Sequence, residues 1–233
     1  MRKITFANDE YYHIYNRGVE KRTVFLGHRD YRRMIHYLYI LNDLIPVDNI
    51  CRLIEDEIEQ GLALLREKRP SRELLVDLCS FCLMPNHFHL LLRQRAEDGI
   101  STFMQRLGTA YTMFFNRKYN RSGALFQGTF KAKHVTNDSY LTHLSRYIHL
   151  NPLDLSKRDW RHRGLDGREK TRKVLWDYPW SSYRDYLGQN EYASIINSQS
   201  ILGDFRSPAE YERFVLSWRA PELERVQEFI FEE

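Results

Sequence analysis

Two histidines separated by one residue, His87 and His89, are the strongest local sign of chemistry in the sequence. On a β-strand, residues two apart point to the same face, so both imidazoles would emerge together while Phe88 points into the core. Neutral imidazoles side by side are a ready pair of metal ligands. The spacing also fits two unrelated histidines on a solvated strand face.

A second candidate is Tyr147, which lies in a stretch predicted to be helical. His143, Tyr147 and Asn151 are four residues apart and share one stripe of that helix. Asn151 precedes a proline, which predicts that it ends the helix with its side chain turned outward. A tyrosine can be the nucleophile of a phosphoryl transfer if nearby cations lower its pKa from roughly 10. Tyr147 also fits a core aromatic residue with a satisfied hydroxyl.

Other familiar chemistries find no support. Cys79 and Cys82 form a C-x-x-C in an apolar, strand-like setting without a second pair, so we interpret them as core residues. The glycines form no phosphate-binding loop, and neither Gly-x-Ser-x-Gly nor His-Glu-x-x-His occurs. Nucleotide hydrolysis, serine hydrolysis and zinc protease chemistry are therefore unsupported.

Alternating and helical periodicities predict the elements that position these residues. Strands are predicted at 11–16, 47–53, 76–84, 87–93 and 125–135, and helices at 31–41, 103–114 and from an Asp138 N-cap to 150. The two residues Pro85 and Asn86 predict a hairpin between adjacent antiparallel strands. This order predicts an α+β fold, a ferredoxin-like, mostly antiparallel sheet with helices packed on it.

The chain is expected to have one catalytic domain and one extension. The domain would cover residues 1–155, with a charged helical insertion at 55–70, and the C-terminal extension would cover 156–233. Residues 157–173 are highly charged and predicted to be a loop, and a helix is expected around 209–218. Three cysteines, no signal-like N-terminus and no membrane-length apolar run predict a cytoplasmic protein.

Positive charge is concentrated in the middle of the chain. Residues 99–150 carry seven lysines and arginines against one acid, whereas residues 204–233 carry eight acids and four arginines. A basic segment interleaved with aromatic residues is typical of a nucleic-acid surface, although an ordinary solvated face is the alternative.

Taken together, five segments resemble the HUH-type single-strand transposases, specifically the REP-associated tyrosine transposases. They occur in the family's order and span residues 12–183: YHIYNRG (12–18), LMPNHFHLL (83–91), GALFQGTFK (123–131), RYIHLNP (146–152) and YPWSSY (178–183). Five ordered segments are far more specific than His-x-His alone.

The resemblance implies an activity and a site. His87 and His89 would bind a divalent cation, Mg²⁺ or Mn²⁺, and Asn151 would complete the metal site. Tyr147 would attack single-stranded DNA, become linked to the 5′-phosphate and release a 3′-hydroxyl that later rejoins strands without ATP. The substrate would be a DNA hairpin from an imperfect palindrome, flanked by a short single-stranded recognition sequence. Both a monomer and a homodimer are open.

Several cations are candidates for contact with the DNA phosphates: Arg17, Arg121, Lys131, Lys133 and Arg146. Phe126 and Phe130 are available nearby for stacking on bases. For each cation a purely solvated role is about as expected as a contact.

The sequence departs from the family's pattern in two places. His149 stands where many relatives carry an acid, and because it lies two residues after Tyr147 on a helix it should point away from the site. Residues 153–156, Leu-Asp-Leu-Ser, replace a common Val-Arg-Ala-Gly. The leading hypothesis is a metal-dependent enzyme that nicks and joins hairpin DNA. The alternatives are a non-catalytic hairpin or single-strand binding protein of the same fold, and a metal-dependent hydrolase without a DNA link.

Overall fold

The computed structural model describes residues 4–45, 72–156, 159–165 and 167–219. Within these ranges one sheet carries the fold, with strands β1 (Tyr11–Arg17), β2 (Val76–Met84), β3 (His87–Gln94) and β4 (Lys131–Val135). The strand order is β2-β3-β1-β4, and every neighbouring pair is antiparallel. The predicted hairpin at Pro85 and Asn86 is confirmed, since β2 and β3 pair up to Met84 and His87.

Three long helices pack on this sheet. They are α1 (His28–Ile40), α2 (Gly99–Lys118) and α3 (Asp138–Leu150). The order β1-α1-β2-β3-α2-β4, with β1 and β3 central, is the ferredoxin-like arrangement. The predicted α+β class is therefore confirmed.

The sheet separates two apolar cores because alternate strand residues point to opposite faces. On one face Ile14, Phe88 and Leu90 pack with α1 and α2. On the other face Leu91 packs with Leu144 of α3 and its neighbours. The odd-numbered residues of β1 and β3, including both candidate metal ligands, belong to the α3 face.

Short helices follow α3 and cover it. A 3₁₀ helix (Asn151–Leu155) leads to α4 (Trp160–Arg163), α5 (Arg168–Trp176), α6 (Tyr183–Tyr186), α7 (Gln199–Leu202) and α8 (Pro208–Val215). Their buried aromatic and aliphatic side chains share the second core with α3. The helix expected around 209–218 is thus present with somewhat different bounds, and the domain boundary near residue 155 stays a prediction.

The predicted loop at 157–173 is wrong, since this segment contains α4 and the first half of α5. In α5 the charged residues lie on the outer side while Thr171 and Leu175 are buried, which is the pattern of an amphipathic surface helix. Arg172 also pairs with Glu212 of α8 at 2.8 Å. The helix is therefore stabilised by its packing against the rest of the chain.

Two further predictions differ from the structure. The strand predicted at 125–135 begins only at Lys131, because residues before it turn across the end of β1. There Gln127 N–H donates to the Arg17 carbonyl, and Gly128 has a φ of +68°. Asn137, rather than Asp138, caps α3 by accepting a hydrogen bond from Tyr140 N–H. The strand predicted at 47–53 and the insertion at 55–70 lie outside the described residues.

No helix among the described residues is long and apolar enough to cross a membrane.

Candidate active site

His87 and His89 lie on the α3 face of the sheet, as the strand pattern predicts, and Phe88 lies in the opposite core. Their ring centroids are 5.0 Å apart and the rings are nearly perpendicular. His87 is 7% exposed and His89 only 1%. The alternative of two histidines on a solvated strand face is therefore wrong.

Hydrogen bonds hold one ring nitrogen of each histidine. His87 Nδ1 lies 2.7 Å from the side-chain oxygen of Asn86, and His89 Nδ1 lies 2.9 Å from Nε2 of His13. An amide oxygen only accepts, so His87 carries its proton on Nδ1 and keeps the lone pair on Nε2. If His89 likewise donates from Nδ1, both histidines present Nε2 as a ligand atom. Such second partners orient metal-binding histidines in general.

Burial keeps both imidazoles neutral. It lowers the pKa of His87 to about 3, with the charges of Arg17 and Arg161 acting in the same direction. Burial also lowers the pKa of His89 well below its usual value, and His13 and His87 add to this effect. Neutral imidazoles are the form that binds metal ions.

Tyr147 reaches this pair from α3. Its ring centroid lies 5.9 Å from that of His89, in an edge-to-face arrangement. Asn151 follows one turn later, and its Nδ2 donates to the Tyr147 carbonyl at 2.9 Å. The Asn151 side chain also hydrogen bonds with His87. Helix α3 and strand β3 thus bring all four expected residues together.

The Asn151 side chain does not turn outward as expected. It is fully buried, because the chain continues into the 3₁₀ helix and the amide folds back onto the last turn of α3. His143, on the same stripe, is occupied by a 2.7 Å contact between its Nδ1 and Arg146. His149 points away from the site, as expected, towards Tyr211 and Ser182.

Tyr147 is only 1% exposed. Burial raises the pKa of its hydroxyl, whereas the charge and hydrogen bonding of the Arg161 guanidinium oppose that rise. The Arg161 guanidinium lies 5.4 Å from the ring centroid of Tyr147. A cation therefore borders the hydroxyl, although burial dominates its pKa.

Three residues at this site lie beyond the motifs and were missed from the sequence. Asp154 accepts hydrogen bonds from Arg161 and, at 2.6 Å, from the indole N–H of Trp160. Arg161 in turn contacts Tyr147. The departure at 153–156 was the one sign in the sequence that pointed to these residues, because it introduces the acid Asp154 directly after the motif. The sequence spacing did not indicate that Trp160 and Arg161 are the partners of Asp154.

The expected metal ligands His87, His89 and Asn151 would supply two imidazoles and one amide oxygen. Among residues in the described ranges, no group of three or more His, Cys, Asp or Glu side chains is arranged to hold a metal ion. The amide oxygen, together with phosphate oxygens and water, suits Mg²⁺ or Mn²⁺, whereas the two imidazole nitrogens suit softer first-row transition-metal ions as well.

Lys131 and Lys133 are exposed on β4, at the sheet edge next to the site. In the strand register they stand opposite Tyr15 and His13, on the same face as the histidines. The Lys131 ammonium lies 6.0 Å from the centroid of the Tyr15 ring. These two lysines therefore lie beside the candidate site with their side chains exposed.

The other cations have different surroundings. Arg17 is half-buried and stands opposite His87 in the register, so it borders the site. Arg121 is half-buried and donates to the Asn116 side chain at 2.7 Å and to the Ala124 carbonyl, which fixes the turn after α2.

The structure does not support a phosphate contact for Arg146. Its side chain is buried, with 1% of the residue exposed, and lies 4.1 Å from the Phe214 ring centroid and 5.0 Å from that of Trp218. It also donates to the Phe214 carbonyl at 3.1 Å. Arg146 therefore joins α3 to α8 instead of facing solvent.

Phe126 and Phe130, the two aromatic residues expected to stack on bases, already pack against other aromatic side chains of the protein. Phe126 is buried and packs edge-to-face with Phe88, whereas Phe130 is half-buried and stacks on Phe6.

A cavity of about 1340 Å³ lies between α2 and residues 124–133. His87, His89 and Tyr147 do not line it, whereas Lys131 and Lys133 do, so the cavity adjoins the edge of the site without containing the histidines or the tyrosine.

Cys79 and Cys82 are free and fully buried, as expected of core residues. Burial raises the pKa of the Cys79 thiol to about 12 and that of Cys82 well above its usual value. Both stay protonated and neither takes part in the site.

Fold and site together define a class of protein, one in which an antiparallel sheet presents a His-x-His pair to a tyrosine on a packed helix. Residues 52–151 match the family described as IS200-like transposases. This region contains His87, His89, Tyr147 and Asn151, and it confirms the resemblance drawn from the motifs. Residues 52–151 of this chain are therefore similar to IS200-like transposases.

One solved structure similar to this chain is described as a REP-associated tyrosine transposase bound to a REP hairpin. The two share 12% sequence identity with a TM-score of 0.49, and the alignment covers 84% of this chain and 90% of the other. No curated protein matches the sequence significantly.

Proposed function

We propose that this protein is a metal-dependent transposase that nicks and rejoins single-stranded hairpin DNA through a 5′-phosphotyrosine intermediate. The observation that carries the proposal is the meeting of His87, His89, Tyr147 and Asn151 on one face of the sheet. They come from β3, from α3 and from its C-terminal end. The match of residues 52–151 to IS200-like transposases supports the same activity.

His87, His89 and Asn151 would hold the divalent cation, with Mg²⁺ or Mn²⁺ as the expected ion. When bound there, the cation would polarise the scissile phosphate and stabilise its developing charge. His13 and Asn86 would keep the two imidazoles in the ligand orientation.

Tyr147 would attack the phosphate in line, forming an Oη–P bond as the P–O3′ bond breaks. The Tyr147 proton would pass to water in the opened site, and the departing O3′ would take a proton from water to become a 3′-hydroxyl. Because α3 and β3 are separate elements, the packing of α3 on the sheet sets the angle of attack. Retention of the phosphodiester energy in the tyrosine link explains why the reaction needs no nucleotide-binding loop.

Entry of the DNA requires local movement around Tyr147, because 1% exposure leaves no room for a phosphate at its hydroxyl. Trp160 and Arg161 lie beside its ring, with the Trp160 centroid 6.3 Å and the Arg161 guanidinium 5.4 Å from the ring centroid. Lys131, Lys133 and Arg17 would bind the backbone of the approaching strand.

The test is a cleavage assay on single-stranded hairpins taken from palindromes flanking the gene. Wild type, Tyr147→Phe and the double variant His87→Ala/His89→Ala are compared in Mg²⁺, Mn²⁺ and EDTA. Tyr140→Phe, about two turns earlier on the same helix, is the matched control. We expect a denaturation-resistant protein–DNA adduct in wild type and Tyr140→Phe, and none in the other variants or in EDTA.

The competing function is non-catalytic binding of hairpin DNA, which the deep burial of Tyr147 favours. Metal-independent binding to the hairpins, with no adduct under any condition, would establish that function and contradict the proposed enzyme. An adduct that persists in Tyr147→Phe would assign the nucleophile elsewhere.

A further inference from the structure

Asp154 organises the segment that follows the tyrosine helix. Its carboxylate accepts hydrogen bonds from both terminal nitrogens of Arg161 and from the indole N–H of Trp160. The Arg161 guanidinium also lies 4.7 Å from the Trp160 ring centroid. A two-pronged pairing of this kind fixes the plane of an arginine as well as its position.

Held in this way, Arg161 is directed at the nucleophile. Its guanidinium hydrogen bonds with the Tyr147 side chain and lies 5.4 Å from the ring centroid. One terminal nitrogen is also 3.5 Å from the Asn151 side-chain oxygen. Arg161 thus touches both the attacking group and a neighbouring candidate metal ligand.

Arg161 is also nearer to solvent than the tyrosine. Its side chain keeps 15% of its exposure and that of Asp154 keeps 24%, whereas Tyr147 keeps 1%. A phosphate that approaches the Tyr147 hydroxyl therefore comes within reach of this guanidinium. Asp154 stands in the stretch that departs from the family's pattern, and Arg161 lies outside the five motifs.

We propose that Arg161 is a further catalytic residue, which holds the Tyr147 hydroxyl and binds the phosphate that this hydroxyl attacks, while Asp154 is its positioning residue. The inference rests on the proposed function. In the step, the Tyr147 Oη–P bond forms and the P–O3′ bond breaks, with the electron pair leaving on O3′. Arg161 neither gives nor takes a proton. It stabilises negative charge on the phosphoryl oxygens, as arginines do in other phosphoryl transfers.

The first experiment measures single-turnover adduct formation on a flanking hairpin with saturating Mn²⁺. Arg161→Gln should slow the reaction about 100-fold, with the hairpin held at a saturating concentration for every variant so that a loss of affinity does not enter the rate. Arg161→Lys keeps the charge but not the two-pronged geometry, so its rate should be intermediate. Asp154→Asn should also be slowed. Arg163→Gln is the matched control, because Arg163 lies on the same short helix and pairs only with exposed Asp159 among its described salt-bridge partners.

An Arg161→Gln rate equal to wild type would overturn the proposal. A faster rate would also overturn it, since Arg161 would then only cover the nucleophile. If Arg161→Gln fails to fold, as judged by circular dichroism, the comparison of Arg161→Lys with Arg163→Gln decides the matter in the same way.

A second measurement needs no cleavage. Metal-free protein carrying ring-¹³C tyrosine is exposed to inorganic phosphate, and the Tyr147 signal, assigned by its loss in Tyr147→Phe, is followed by NMR. The signal should move to saturation in wild type and Arg163→Gln but not in Arg161→Gln. The same movement in Arg161→Gln, or none in wild type, contradicts phosphate binding by Arg161. A phosphate response that depends on Arg161 in a protein that forms no adduct would refute the proposed function and leave the Arg161 site standing.

Discussion

Lowering the pH from 7 to 5 should destabilise the folded chain through the imidazole of His149. This residue is fully buried between α3 and the C-terminal helices, with its two ring nitrogens 2.7 Å from the hydroxyls of Tyr211 and Ser182. Burial lowers the pKa of His149 to about 3 from an ordinary 6.5. Below pH 6.5 this histidine is therefore protonated in the unfolded chain but stays neutral in the folded chain. The free energy of unfolding consequently falls as the pH is lowered, until the pH reaches about 3.

The magnitude follows from the linkage between pKa and stability. Each pH unit between those two pKa values costs ~1.4 kcal/mol, and little stability is removed above pH 6.5. At pH 5 the destabilisation attributable to His149 is therefore about 2 kcal/mol relative to pH 7. Other buried histidines, such as His36 with a pKa of about 4, add to the total but contribute equally to variants at position 149.

Urea denaturation of metal-free protein at the two pH values measures this effect. His149→Gln removes the titrating group and keeps an amide able to bond to the two hydroxyls. Whatever the variant costs at pH 7, its further destabilisation at pH 5 should be about 2 kcal/mol smaller than that of wild type. Exposed His162, replaced in the same way, is the control and should leave the wild-type pH dependence in place. Equal pH dependence in wild type and His149→Gln would refute the reasoning.

Three other variants test the roles of His13, of the lysine pair Lys131 and Lys133, and of Arg146. His13→Phe should weaken Mn²⁺ binding, measured by electron paramagnetic resonance, about 10- to 100-fold because it removes the orienting partner of His89; unchanged affinity would contradict this. Replacing Lys131 and Lys133 by glutamine should weaken hairpin binding and flatten its salt dependence by about 0.7 in logarithmic slope for each phosphate that is no longer neutralised; an unaltered slope would exclude a phosphate-binding role for these lysines. Arg146→Ala should lower the free energy of unfolding by about 2–4 kcal/mol and leave that slope unchanged, and the reverse result would return Arg146 to the DNA surface.

Local patterns were sufficient to predict most of the sheet and the pair of histidines on it. The period of two residues places His87 and His89 on one face whatever the partner strands are, and two residues suffice to turn β2 into β3. The predicted bounds of β2 agree with the structure, and those of β3 differ by one residue. These features depend on neighbours in sequence, which is why the sequence alone predicts them.

Features that depend on distant neighbours were not predicted. Arg146 carries a charge in a basic segment, and only the packing of Phe214 and Trp218 against it shows that it is buried. The helix α5 was hidden by its charge, because only Thr171 and Leu175 face the core. Arg161 is held by Asp154 and contacts Tyr147, which lies fourteen residues earlier in the sequence, and no short-range sequence pattern predicts that contact.

Near the histidines, the positive charges of Arg17 and Arg161 have two effects. They favour the neutral form of His87, and they would attract the phosphate of a DNA strand. Arg17 and Arg161 help lower the pKa of His87, so they keep an imidazole neutral and able to bind a cation. The expected metal ligands include no carboxylate, and the nearby arginines are positively charged. The site would therefore repel a metal ion unless an anion binds together with it. The scissile phosphate is such an anion, and it would neutralise the arginines while supplying oxygen ligands to the metal. We therefore expect metal and DNA to bind with positive coupling, each raising the affinity for the other by the same factor. Mn²⁺ affinity measured with and without a hairpin whose scissile phosphate is intact would show this, and equal affinities would contradict it.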